Sequence, residues 1–457
     1  MELNNKRVLV VGLGKSGVAS ALFLKAHGAR VTVSDTKSGD DLRNEIPVLL
    51  DHGITVETGG HGERTFRGQD LIVVSPGVPV DARPLVQARA QGELVIGEIE
   101  LAAQFLPGPI VAITGSNGKT TTTTLTGEIM TAGGFSTLVG GNIGTPAISL
   151  TERATPETVT VLEVSSFQLE TIQSFRPKIA VVLNVTPDHL DRHRTFEAYA
   201  HAKARIFENQ QAGDFAVLNA DDATCVAMAA GSKAPVYWFS RQKEVAQGAW
   251  VRDGQILFRG GSGSTEKQRE IMQASEIPLK GAHNLENVLA AVCAGALMGC
   301  ASEKIQQAVQ NFKAVEHRLE FVATIRGVDY YNDSKATNVD ATIKALESFP
   351  ANIHLILGGK DKGSDYSVLN DLLRQRVKRV YTIGAAAAKI ESQILSSKNG
   401  GPEMIHAETL ENAIRKANAA AESGDVVLLA PACASFDQFK NYEHRGQVFK
   451  QFVHGLA

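Results

Sequence analysis

The residues with the clearest chemical potential lie in ITGSNGKTTTTTLT, Ile113 to Thr126. Gly115, Ser116, Asn117 and Gly118 are small and lead into Lys119 and Thr120. Small residues let backbone N–H groups turn inward on an anion at the positive end of the helix that follows. Lys119 has the reach for β- and γ-phosphate oxygens, and the Thr120 hydroxyl can join a Mg2+ shell completed by phosphate. The loop is shorter than a Walker A motif, which carries glycine where this chain has Ile113. The plain alternative is a serine/glycine turn with an exposed lysine. The threonines beyond Thr121 are poor helix formers and are assigned no chemistry.

A second glycine-rich loop, VVGLGKSG, opens the chain. Gly12, Gly14 and Gly17 follow one short apolar run and precede a helical pattern, and the next run ends at Asp35. This fits a dinucleotide fingerprint, with backbone amides on phosphate and an acid at a ribose. Binding of NAD, binding of another nucleotide, and glycines needed only for close helix–strand packing all remain open on this pattern. An NAD(P)-dependent dehydrogenase is one rival function; a nucleotide-dependent switch without an acceptor substrate is another.

A phosphate loop needs acids for its metal. Glu163, in VLEVSSFQLE, ends a hydrophobic run, and a buried charge is costly unless paired or metal-bound. Ser165, Ser166 and Gln168 lie in the same segment. LNVTPDHLD brings Asp188, His189 and Asp191 just past another strand end, where ligands gather in open α/β sheets. Each acid taken alone is equally a helix cap or a surface charge. Lys203, in AYAHAKARIFEN, reads as a solvated lysine on a helix. HNLENVL places His283, Asn284 and Asn287 together, with the two asparagines on one helix face where they could bond a base edge. His317, Arg318 and NDSKATN (Asn332–Asn338) supply cationic groups further on. LGGKDKGSD adds Lys360 and Lys362, and PACASFDQFKNYEHRG follows the last apolar run.

The elements that must hold these groups alternate along the chain. Short β-branched runs predict strands at Arg7–Gly12, Arg30–Asp35, Asp70–Ser75, Pro109–Thr114, Thr158–Val164, Ile179–Val185 and Asp214–Asn219. Others are predicted at Gly327–Asn332, Ile353–Gly359, Arg379–Gly384 and Asp425–Pro431. Continuous apolar strands separated by helical patterns predict an α/β protein with mostly parallel sheets covered on both faces. A chain of 457 residues favours roughly three domains. The joints fall at Phe105–Pro109 and Asn311–Val315, giving domains 1–108, 109–313 and 314–457. The polar stretch Arg241–Gln273, with GGSGS at its centre, is expected to hold short strands and an exposed loop. Lys plus Arg number 46 against 49 Asp plus Glu, a balance without a basic footprint for nucleic acid. The four cysteines lack metal-ligand spacing and read as reduced thiols. The apolar run Val8–Val11 is too short for a secretory core of about 7–15 residues. The charge-free stretch Asn287–Ser302 falls short of the ~20 residues of a membrane span and reads as a buried helix. A cytoplasmic protein, away from membranes, is the expectation.

TGSNGKT, GGNIG, LEVSSFQLE, LNVTPDHLD, the Lys203 helix, HNLEN, HR, NDSKATN, GGKDKG and PACASFDQFKN occur in the order found in the Mur ligase family. The chain resembles that family over essentially its whole length, most of all those members that add D-glutamate to UDP-N-acetylmuramoyl-L-alanine. The resemblance implies an N-terminal Rossmann-like domain for the UDP end of the substrate, a central P-loop-type ATPase sheet, and a C-terminal Rossmann-like domain for the incoming amino acid. It implies peptidoglycan precursor synthesis through an acyl phosphate, with ATP and two Mg2+ ions. Ser16, Asp35, Thr36, Lys37 and Gly77 would contact UDP; Lys37 stands where arginine is common. Asn142, Ser165, Gln168 and His189 would hold the muramoyl-alanine end. Gly115 to Thr121, and above all Lys119 and Thr120, would bind ATP. Thr120 and Glu163 would hold one Mg2+, and His189 with Lys203 the other. In the family that lysine is carbamylated, which turns a cation into an oxygen donor and opposes the solvated reading. Asn284 and Asn287 would face adenine, and Arg318, Asp333 and Lys335 would reach ribose and phosphate. Thr337, Lys362, Ser435, Phe436 and Tyr442 would surround D-glutamate. Lys119, His189, Lys203, Arg318 and Lys335 would carry catalysis. Acceptor and phosphate ligands fall on different domains, so closure of the third domain on ATP is expected, in a monomer. A Mur-type ligase with another amino-acid acceptor is the nearest alternative.

Overall fold

The computed structural model describes residues 1–62, 64–260, 268–313, 315–394 and 400–456, with the backbone alone at Asp191. Most of the GGSGS segment therefore lies outside the described residues. By packing, the chain divides into two compact units, 1–276 with 286–310, and 277–285 with 311–457.

The first unit holds two sheets. In the smaller, the strands run in the order Thr55–Glu57, Arg30–Ser34, Arg7–Val11, Leu71–Val74, Val95–Gly97, all parallel. Val8–Val11 and Leu71–Val74 are buried along their length, as central strands with helices on both faces require. The larger sheet has nine strands. Its inner part runs Phe215–Asn219, Ile179–Val182, Ile110–Thr114, Val159–Glu163, Thr137–Gly141, all parallel. Beyond Phe215–Asn219 come Val236–Ser240 and Gly248–Arg252, and then two antiparallel edge strands, Gln255–Arg259 and Gln268–Gln273.

Between the sheets the joint at Phe105–Pro109 is not a break in packing. One apolar core runs from Val8, Val10 and Leu24 through Ile99 and Leu106 to Ile110, Leu162 and Phe207. Polar clasps reinforce it. The Glu100 carboxylate accepts from the amides of Gln173, Ser174 and Phe175 at 2.8–3.0 Å. Arg192 donates to the carbonyls of Gly77 and Val78.

The second unit carries a six-stranded sheet in the order Glu320–Ile325, Val328–Asn332, Val426–Leu429, Ile353–Gly358, Val377–Ile383, Glu403–Glu408. Only the first pair is antiparallel. Segment 277–285 packs with this unit through Lys280, whose Nζ donates to the Tyr331 hydroxyl at 2.6 Å and lies over the Tyr331 and Phe349 rings.

Every predicted strand is present, most shortened by a residue or more. The stretch Asn287–Ser302 is corrected: its helix, Ala282–Leu297, stops at a turn where Gly299 takes φ +94°, and a new helix begins at Ser302. Positive φ is strained for side chains but open to glycine, which is why the apolar pattern outlasts the helix. No helix among the described residues is long and apolar enough to cross a membrane.

Candidate active site

The strand Ile110–Thr114 lies between Ile179–Val182 and Val159–Glu163, in the parallel part of the nine-stranded sheet, and delivers the Gly115–Gly118 loop at its carboxyl end. Gly118 takes φ +83°, and a Cβ there would stand 2.1 Å from Asn287 Oδ1, so backbone and asparagine meet where no side chain fits. The neighbouring segment pins the loop. Asn117 N–H donates to Asn184 Oδ1 at 2.9 Å, and the Ser116 hydroxyl donates to the Thr186 carbonyl at 2.9 Å. Lys119 opens the helix Lys119–Ala132 and folds back, its Nζ donating to the carbonyls of Gly115 and Ser116 at 2.9 Å.

Glu163 ends the adjacent strand, almost wholly buried. Its carboxylate accepts from the Thr120 hydroxyl at 2.8 Å and from Asn142 Nδ2 at 2.9 Å. Both partners are neutral, so this buried charge has the character of a ligand for a hard cation. Among the described residues no group of three or more His, Cys, Asp or Glu side chains could hold a metal. A Mg2+ ion here would draw its remaining oxygens from Thr120 and phosphate, a donor set that suits it.

Lys203 corrects the solvated reading. It is 1% exposed, donates to the same Gly115 carbonyl at 2.8 Å, and lies over the Tyr199 ring. Burial first, and the Lys119 charge second, hold its amine well below the usual lysine range; Asp188, Cys225 and Glu163 pull the other way. The helix Phe196–Ala204 gave no sequence sign of this, because the side that is buried is set by the phosphate loop it packs on. His189 sits exposed with φ +53°, its Nε2 3.7 Å from Asp188 and its ring 5.0 Å from Phe167. His193, which the sequence reading passed over, is buried, bonded to the Ser166 hydroxyl at 2.9 Å and 3.4 Å from Glu170. Arg192 was also passed over; it stacks on Phe167 while holding Gly77 and Val78.

At the other glycine loop, Asp35 uses both oxygens on backbone: Leu13 N–H at 2.6 Å and Lys37 N–H at 2.8 Å. It therefore shapes the loop ends, with Ser16 half-buried and Thr36, Lys37 and Gly77 exposed. Ser165 and Gln168 form a capping box, the Gln168 Oε1 accepting from Ser165 N–H at 2.9 Å, and Gln168 is buried.

In the second unit, Asp333 is buried and its carboxyl is pushed up to about 6 by burial, against the Arg318 charge and the Leu319 N–H. Arg318 Nε has no hydrogen-bond partner among the described residues. Lys335 Nζ lies 5.3 Å from the Tyr442 ring centroid, and Thr337 N–H donates to the Lys335 carbonyl. Ser435 is buried, Lys362 is exposed, and the apolar Phe436 is 67% exposed, which costs unless something covers it. Asn284 donates to the Lys280 carbonyl at 2.6 Å and packs with this unit, whereas Asn287 packs with the first. Arg445, unused in the sequence reading, is fully buried and donates to Ser334 O at 2.7 Å and Cys433 O at 3.1 Å. It ties the NDSKATN loop to the loop bearing Ser435; EHRG was the only signal for it.

A phosphate loop on a central parallel strand, a buried metal-type acid one strand over, and a separate α/β unit rich in cationic loops define an ATP-dependent ligase architecture. The chain belongs to the Mur ligase family. Residues 6–97 match the MurD-like N-terminal domain of Mur ligases, residues 113–295 the Mur ligase middle domain, and residues 317–433 the Mur ligase glutamate ligase domain. Among its relatives is a protein of Koribacter versatilis named UDP-N-acetylmuramoylalanine–D-glutamate ligase, 66% identical over 457 residues, covering 100% of this chain and 99% of the relative. A protein of Acidobacterium capsulatum with the same name is 59% identical, covering 99% and 97%. Solved structures share the fold. MurF ligase from Thermotoga maritima in complex with ADP superposes with a TM-score of 0.62 at 17% identity, covering 100% of both chains. A pseudomurein peptide ligase type C from Methanothermus fervidus gives 0.60 at 19% identity, covering 99% of this chain and 100% of the other.

Proposed function

We propose that this chain is an ATP-dependent amide ligase that adds D-glutamate to UDP-N-acetylmuramoyl-L-alanine in peptidoglycan precursor synthesis. One observation carries it: Glu163 joins Thr120 of the phosphate loop to Asn142 of GGNIG. An ATP group and a substrate group thus share one carboxylate, in a chain whose relatives bear the name of this reaction over their full length.

A carboxylate resists attack by an amine, so the alanyl carboxylate first takes the γ-phosphoryl group of ATP, releasing ADP. The D-glutamate amine then adds to the acyl carbon, and the tetrahedral intermediate expels phosphate to leave the amide. Phosphoryl transfer of this kind needs positioned cations more than covalent help. Lys119 turns from its two loop carbonyls to phosphate oxygens, and Thr120 and Glu163 would hold one Mg2+. His189 and Lys203 would hold a second. When bound, the metal supplies positive charge beside the phosphate oxygens. Asn284 and Asn287 take adenine; Arg318, Asp333 and Lys335 take ribose and phosphate. Ser16, Asp35, Thr36, Lys37 and Gly77 take the UDP end, and Asn142, Ser165, Gln168 and His189 the muramoyl-alanine end. Thr337, Lys362, Ser435, Phe436 and Tyr442 form the D-glutamate pocket. The functional segments are 1–108, 109–313 and 314–457, working in one cytoplasmic chain.

Carbamylation of Lys203 has direct physical support. Only a neutral amine adds CO2, and burial favours that form. The N–C bond forms, one proton leaves to solvent, and the product is an anion beside Lys119, which converts repulsion across the Gly115 carbonyl into attraction. The deciding experiment is phosphate release from ATP and UDP-muramoyl-alanine across a panel of amino acids. Release with D-glutamate is expected; release with another amino acid and none with D-glutamate would overturn the specificity.

A further inference from the structure

Three segments assigned to the UDP-substrate end meet behind the site, and one buried carboxyl lies among them, bonded to one and lining a cleft with the other two. Glu98 begins the helix Glu98–Ala103 and is 1% exposed. Its Oε1 accepts from the Ile148 N–H at 2.8 Å. Ile148 lies in the 3-10 segment Ala147–Arg153, which directly follows GGNIGTP and carries no side-chain cap of its own. Glu98 thus serves as a cap from another element, on the stretch that leads from Asn142. The Gln168 side chain, whose Oε1 is committed to Ser165, faces the same carboxyl and favours its charged form. Glu98 further lines a narrow, mainly apolar cleft with Ser75, Pro76, Val78 and Phe167, the stretch that flanks Gly77. Among the described residues its Oε2 has no hydrogen-bond partner. A carboxyl in that setting is costly for stability.

We propose that Glu98 is a positioning residue for the UDP-muramoyl-alanine site, fixing the GGNIGTP turn, the Ser165–Gln168 turn and the Ser75–Val78 loop relative to one another from behind. It touches no reacting atom. Burial pushes its carboxyl up to about 7, against the Ile148 amide, the Gln168 side chain and the Ala147 amide, so its neutral form is well populated at neutral pH. Glutamine reproduces that form: one oxygen accepts from Ile148, and the amide nitrogen takes the place of Oε2.

This inference rests on the ligase reading, so its test separates the two. The affinity of UDP-muramoyl-alanine is measured by calorimetry without ATP, alongside KM for each substrate, kcat and the thermal midpoint, for wild type, Glu98→Gln and Glu98→Ala. Loss of the buried Ile148 hydrogen bond in Glu98→Ala is expected to weaken UDP-substrate binding about tenfold or more, with KM for ATP and D-glutamate little moved. Glu98→Gln is expected to restore binding to near the wild-type value. Wild-type affinity in Glu98→Ala, whatever its melting temperature, overturns the proposal, as does an equal rise in all three KM values. If Glu98→Ala fails to fold, Glu98→Asp, one methylene short of Ile148, carries the same comparison; unchanged affinity there overturns it too. A wild type that binds no UDP substrate and releases no phosphate with D-glutamate sinks the ligase reading itself.

Discussion

Two lysine side chains aim at the Gly115 carbonyl, and this sets the chemistry of single residues. Lys119 is the exchangeable one, because its partners are carbonyls that a phosphate oxygen outcompetes. Replacing it with alanine should lower kcat by about 10²–10³, the cost of one preorganised cationic donor; phosphate release within a few-fold of wild type would remove Lys119 from the mechanism. Lys203 should give a carbamate carbon signal by NMR after incubation with 13C-bicarbonate, and Lys203→Gln should lack it. A wild type without that signal leaves the second metal site short of a ligand. Glu98 makes a pH prediction. Its folded value of about 7 lies above the ordinary glutamate value of 4.5. The folded state therefore holds the proton more tightly, and stability falls as pH rises between those values, by on the order of 3 kcal/mol at most. Glu98→Gln lacks this slope, so the gap between the two proteins in urea unfolding should shift in favour of the variant from pH 4.5 to 7 and then stay level. Asp333 titrates in the same window but in both proteins, and it cancels. The sequence exposed Lys119, Thr120 and Glu163 because loop and strand-end positions dictate their surroundings. The burial of Lys203, His193 and Arg445 was illegible because it comes from segments far away in the chain, and only the family resemblance pointed to Lys203.

At the scale of elements, the phosphate loop works because glycine occupies the one position where Asn287 presses on the backbone. Gly118→Ala must shed that clash and a positive φ together. It should cost at least ~1 kcal/mol of stability or displace Asn287, raising KM for ATP; unchanged stability and unchanged KM would show that the loop has slack. Strands that sit at sheet centres were legible in the sequence, since burial on both faces writes itself as unbroken Val, Ile and Leu. Most of those that were missed lie at or near a sheet edge; Val236–Ser240, inside the nine-stranded sheet, is the exception. Thr55–Glu57 and Val95–Gly97 have three residues each, too few for a pattern. Gln268–Gln273 exposes a charge and two amides, and Glu320–Ile325 exposes Phe321 and Thr324, so neither reads as a buried apolar run. Gly248–Arg252 and Gln255–Arg259 were expected only as unspecified strands in a polar stretch, because their pairing is set by a short turn at Asp253 and Gly254 rather than by composition.

For the whole molecule, packing divides the chain differently from its three family segments. Segment 277–285 is anchored in the C-terminal unit by Lys280, between Tyr331 and Phe349. Lys280→Ala removes a cation–π contact and a hydrogen bond, together about 1–2 kcal/mol. In calorimetry it should lower the transition of the C-terminal unit and leave that of the first unit in place; a shift in the first unit alone would reassign the segment. The first two family segments, by contrast, share one core. Leu106 and Ile110 belong to the same apolar cluster, Glu98 and Glu100 reach across the joint, and Arg192 returns to Gly77 and Val78. The segment proposed to grip the nucleotide-sugar is thus no detachable cassette. A recombinant that exchanges residues 1–108 for those of a distant relative would inherit a mismatched inner face. Over evolutionary time, a change of sugar handle has to be written into both segments at once.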